Sequence, residues 1–124
     1  MLKNLPQGTK ISITRSIHIA FEQYMSNIQW NENQFDINDF IQQWKQYIEQ
    51  NASWFKNLDA ETKADPIFHE ELAVKINETI EKILAEEPTE EQIHKLEELT
   101  KSTGKEIDYS SKLEARYLID TLSN

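Results

Sequence analysis

Apolar residues recur along this chain at steps of three and four. Ile17, Ala20, Phe21, Tyr24, Met25 and Ile28 fall at i, i+3, i+4, i+7, i+8 and i+11, one face of an amphipathic helix. The spacing predicts a helix over 15–29 with Thr14 as its N-cap. Before it, Ile11 and Ile13 alternate with Ser12 and Thr14, so residues 1–13 read as irregular or briefly extended. A second stripe, Ile37, Phe40, Ile41, Trp44, Tyr47, Ile48, Phe55 and Leu58, predicts a helix over 37–57. Asp36 caps it, and Phe35 and Phe40 stand where a hydrophobic staple would place them. This helix either runs unbroken or is interrupted at Asn51-Ala52-Ser53, where helix propensity dips.

Asp65-Pro66 is an N-cap followed by proline at the first helical position. It opens a predicted helix over 67–85 that turns Phe68, Leu72, Ile76, Ile80, Ile83 and Leu84 inward and stops before Pro88. Thr89 and Gln92 form a capping box for a helix over 90–102. That helix buries Ile93, Leu96 and Leu99 and ends at Gly104, which suits a left-handed C-cap. Ser111 and Glu114 repeat the box for a helix over 112–122, which buries Leu113, Tyr117, Leu118 and Leu122. The expectation is an all-α protein of about five helices. Residues 1–87 form a three-helix bundle and residues 88–124 a two-helix hairpin, the two packing as one domain or standing apart.

Composition strengthens this reading. Only two glycines and three prolines occur in 124 residues, and a sheet protein draws on both for its turns. Cysteine is absent, which removes disulfides, thiolate nucleophiles and cysteine-type zinc sites. No apolar run approaches the length of a membrane span, and Met1 to Pro6 lack the apolar core of a secretory signal. The expected setting is the cytoplasm, with no membrane partner.

The net charge of −9 is concentrated. Residues 59–98 hold thirteen acidic side chains against Lys63, Lys75, Lys82 and Lys95, while the segments on either side are balanced. Such a belt repels phosphate backbones. Its candidate partner-binding carboxylates are Glu70, Glu78, Glu81, Glu87, Glu91 and Glu98. They would meet a basic protein, in the extreme case by mimicking nucleic acid. The plainer reading is a set of solvated helix faces. Trp54 and Phe55 are adjacent and cannot both point inward, which makes Trp54 a candidate interface anchor. For nucleic acid, the candidates are Lys101, Lys105, Lys112 and Arg116 around the last interhelical loop, interleaved with Glu106, Asp108 and Glu114.

Pro88, Thr89, Gln92, Leu96, Leu99 and Gly104, then Lys112, Glu114, Ala115, Leu118, Ile119 and Leu122, follow a P-T-x-x-Q, then K-x-E-A-S-x-L-I arrangement. In this stretch the chain resembles a small two-helix module of Gram-positive bacterial, phage and mobile-element proteins. Arg116 stands where the module usually has a small serine. The resemblance implies a helical hairpin and a neighbourhood of DNA metabolism, and it implies no activity. Residues 1–87 resemble no family.

Catalytic signals are sparse. Glu90, His94 and Glu98 share one face of a helix, but zinc sites draw on more His or Cys than this. His69 follows a helix start beside Glu70 and Glu71, where carboxylates answer the helix dipole. His18 lies beside the first stripe. Gly8 and Gly104 are isolated, so there is no phosphate loop. The expectation is a small, acidic, non-enzymatic binding or regulatory protein without a cofactor or metal, acting by protein–protein contact. The alternatives are a nucleic-acid-binding accessory protein that uses the hairpin and a small metal-dependent enzyme.

Overall fold

The computed structural model describes residues 4–123. Every regular element among them is helical. They group into two compact units, one ending at Ile80 and the other beginning at Glu81, whereas the sequence suggests a boundary before Pro88.

In the N-terminal unit, α1 spans Gln7–Asn27. It starts well before the expected residue 15. Ile13 lies four residues before Ile17 and is buried with it, while Ile11 stands exposed on another side of the helix, so Ile13 extends the helical stripe and the alternation is not that of a strand. Thr14 is an interior residue, its hydroxyl donating to the Lys10 carbonyl at 3.3 Å. No side chain caps the start, which follows Pro6. The helix closes through two non-glycine residues in left-handed conformation, Gln29 at φ 56° and Trp30 at φ 54°. Such residues cost about 1–2 kcal/mol each. Here the Trp30 amide donates to the Met25 carbonyl at 2.8 Å, and the Trp30 ring lies edge-on to Phe21.

A short 3-10 turn over Glu32–Gln34 leads into α2, Ile37–Asn51. Asp36 caps α2 by accepting from the amides of Asn38 and Asp39. Phe35 and Phe40 both meet Phe21 and Tyr24 edge-on, so the staple works through rings of α1. The Tyr24 hydroxyl accepts from the Asp36 amide at 3.2 Å and donates to Asp39 Oδ2 at 3.3 Å, which locks the end of α1 to the start of α2. Deeper in, Trp44 Nε1 donates to Ser16 Oγ at 3.0 Å, and Ser16 Oγ donates to the Ile13 carbonyl at 2.7 Å.

The second predicted helix is interrupted. Ala52 is extended at ψ 111°, and a single turn, α3, follows over Ser53–Lys56. A five-residue helix, α4, Ala60–Ala64, was not expected. Asp59 caps it, with Oδ1 accepting from the Thr62 amide at 2.7 Å. That bond, with one from the Thr62 hydroxyl, holds the Asp59 carboxyl below the usual carboxylate range. Helix α5 spans Pro66–Ala85. Asp65 Oδ1 accepts from the Ile67 amide. Phe68, Leu72, Ile76, Ile80 and Ile83 are buried as expected, but Leu84 is exposed. Adjacent residues on a helix point about 100° apart, so one inward face does not hold both Ile83 and Leu84.

In the C-terminal unit, α6 spans Glu90–Thr103 and α7 spans Lys112–Leu122. The Thr89–Gln92 capping box is complete in both directions, and Gly104 ends α6 at φ 70°. Ser111 caps α7 by accepting from the Glu114 amide, while the Glu114 side chain accepts from the Ser110 amide. Leu96, Leu113, Ala115 and Ser111 are buried, but Ile93, expected inside, is exposed. The start of α7 is tied to the segment after α5. The Lys112 amide donates to the Glu86 carbonyl at 2.8 Å, Lys112 Nζ pairs with Glu86 Oε1 at 3.3 Å, and Gln92 Nε2 donates to the Lys112 carbonyl at 3.4 Å.

Candidate functional site

Solvent-facing residues of α5 give the best-defined surface in the N-terminal unit. Ile67 and Val74 are 56% and 55% exposed. They stand seven residues apart, with Glu70 and Glu78 exposed beside them. At about 100° per residue these four positions fall within roughly 80° of arc. The result is an acidic stripe carrying two branched aliphatic side chains in water. Apolar side chains rimmed by charge mark contact surfaces more often than isolated exposed residues do. The helix can present them because its opposite face, Phe68, Leu72, Ile76 and Ile80, is buried.

The remaining acidic candidates, Glu81 on α5, Glu87 beside Pro88, and Glu91 and Glu98 on α6, are also exposed. They belong to the C-terminal unit. Glu91 and Glu98 share a face of α6 two turns apart. Glu98 Oε1 lies 3.2 Å from His94 Nε2, an exposed pair of the kind that contributes little to stability.

The basic candidates are divided in their engagements. Lys101, Lys105, Lys112 and Arg116 are all exposed. Lys101 sits in the last turn of α6, where a cation suits the helix dipole, and Lys105 follows Gly104 in the loop. Lys112 is held by Glu86, and Arg116 is engaged within the fold.

Trp54 is not a surface anchor. It is 8% exposed, with its ring edge-on to Phe55 at 5.9 Å. Phe55 is the half-buried member of the pair, and Lys63 Nζ lies 4.7 Å above its ring. Among the described residues, no three His, Asp or Glu side chains gather to hold a metal ion. His69 Nε2 is bonded to the Lys63 carbonyl.

A second feature was not foreseen. Along α1, Lys10, Ile11, Arg15, His18 and Ile19, with Lys75 of α5, line an open groove of about 530 Å³. Gln7 and Thr14 complete the lining, and no carboxylate contributes to it. The sequence concealed this face because residues 1–13 were expected to be irregular, which kept Lys10 and Ile11 off any helix. Ile67 and Val74 are concealed for another reason. The apolar periodicity of α5 is that of its inward stripe, and these two residues fit only an i, i+3, i+7, i+11 pattern that runs through Glu70 and Glu78.

These features define an all-α protein with an acid-rimmed apolar stripe and a basic groove in its N-terminal unit. No helix of the described residues is long and apolar enough to cross a membrane. No family model, curated protein or solved structure matches the chain.

Proposed function

We propose that this is a non-enzymatic binding or regulatory protein of the cytoplasm that acts by protein–protein contact, with the exposed stripe of α5 as its docking face. The pairing of Ile67 with Val74 between Glu70 and Glu78 carries this reading. Aliphatic side chains supply affinity when a partner covers them, and the carboxylates select a partner with basic groups at matching positions. The resemblance of residues 88–122 to a module of phage and mobile-element proteins favours a setting in DNA metabolism. Glu91 and Glu98 on α6 are secondary contacts in this proposal.

A photo-crosslinking side chain at position 74, introduced in the source cell, tests it. We expect a discrete protein adduct that disappears with Glu70→Lys and Glu78→Lys. Covering the exposed half of Val74 contributes on the order of 1 kcal/mol, and an aspartate buried there adds the cost of desolvating a charge. Val74→Asp should therefore weaken binding at least about tenfold in a purified pair. Recovery of bare nucleic acid instead, lost steeply with salt and abolished by Lys101→Glu and Lys105→Glu, would reverse the proposal in favour of a nucleic-acid accessory role.

A further inference from the structure

We infer that the α1 groove is the receptor for the α5 stripe of a second copy of this chain, so that the protein pairs with itself. The inference rests on reading the stripe as a docking face, and it names that face's partner.

The two surfaces match in length, apolar content and charge. Ile67 and Val74 are seven residues apart, about 10.5 Å along a helix. Ile11 and Ile19 are eight apart, about 12 Å, and both line the groove. A pair of branched aliphatics on one helix therefore meets a pair at nearly the same separation on the other. Glu70 and Glu78 flank the stripe, while Lys10, Arg15 and Lys75 line the groove. The groove has no carboxylate in its lining, and residues 1–58 carry no net charge of either sign. Of its cations, Arg15 is exposed and Lys10 is half-buried on α1, outside the acidic belt, while half-buried Lys75 belongs to that belt, and the whole chain is at −9. Physiological salt screens the remaining repulsion between two copies beyond about 8 Å, which leaves the short-range pairs to decide the contact.

Closure follows from placement. Lys75, which lines the groove, is the residue after Val74 of the stripe, so the two surfaces adjoin on α5. Two copies related by a two-fold axis can each lay α5 along the partner's α1, forming both contacts at once. Such an assembly ends at two copies.

Sedimentation equilibrium on the full chain tests this with charge reversals. The wild type should reach a dimer as concentration rises at physiological salt. The groove variant Lys10→Glu/Arg15→Glu should place acid against acid. The stripe variant Glu70→Lys/Glu78→Lys should place base against base. Each alone should weaken the dimer at least tenfold, with helix content by circular dichroism unchanged. Mixed in equal amounts, the two variants should form a strict heterodimer, because both contacts are then complementary again. Ile11→Asp, at a position 50% exposed, is a second groove variant and should have the same effect as the groove reversal.

A wild type that remains monomeric at millimolar concentration would overturn the inference. So would a dimer indifferent to both reversals, or a mixture that fails to pair. The α5 docking reading is separable from it. A monomeric chain that still crosslinks from position 74 to a different protein would leave that reading standing and remove only self-pairing. Loss of crosslinking to anything would remove both.

Discussion

Ser16 shows what a single hydroxyl contributes when a large polar ring is buried. Trp44 is 1% exposed, and its indole N–H needs an acceptor inside the core. Ser16 Oγ is that acceptor, and its own proton goes to the Ile13 carbonyl. Ser16→Ala leaves the indole donor without a protein acceptor, at a cost of about 1–3 kcal/mol. The same substitution in a Trp44→Phe background, where the donor is gone, should cost less. Urea denaturation of the four chains in this cycle measures the difference, and equal losses in both backgrounds would refute the pairing. The periodicity of the second stripe marks Trp44 as core. Its partner could not be read from sequence, because Ser16 looks like an ordinary polar neighbour of Ile17 and lies 28 positions away.

At the scale of elements, the starts of the longer helices that carry a side-chain cap were legible, and the uncapped start of α1 was not. Asp36, Asp65, Thr89 and Ser111 each open the helix expected of them. No side chain caps α1, so its start leaves no signal in the sequence, where Thr14 stands as a natural N-cap just before the apolar stripe. Helix α4 is too short to show a periodicity, although Asp59 stands at its head. The acidic stripe was half legible. Its carboxylates were visible as a charge belt, but the two aliphatics among them became evident only once the buried side of α5 was known.

Asp59 also makes α4 sensitive to acid. Its folded pKa is depressed by its bonds to Thr62. The stabilisation is therefore fully present above the unfolded carboxylate value and is lost as pH falls through the folded one. Exchange protection of the Thr62 amide should hold near neutrality and fall below about pH 4. In Asp59→Asn that protection should not respond to pH over the same range.

Across the whole molecule, burial is uneven. The fully buried aromatic side chains, Trp44, Tyr24, Phe21, Phe40 and Phe68, all belong to the unit ending at Ile80. In the unit beginning at Glu81 the fully buried residues described are Leu96, Ser111 and Ala115. Regions with less buried apolar surface open more readily. Native-state amide exchange should therefore find the slowest protons in α1 and α2, with α6 and α7 exchanging through a smaller opening of their own. Uniform protection of all four helices would contradict this.

The same unevenness has an optical consequence. Trp30, Trp44 and Trp54 all precede Ile80, and the C-terminal unit has tyrosines but no tryptophan. Intrinsic fluorescence excited at the red edge of the indole band thus comes from one unit alone. A thermal melt followed by that emission traces the loss of the aromatic core around Trp44 and is blind to α6 and α7, whose unwinding registers in far-ultraviolet ellipticity. If the two units melt separately, the two signals will give different midpoints for the same sample, and a lifetime decay will resolve the half-buried Trp30 from the enclosed Trp44.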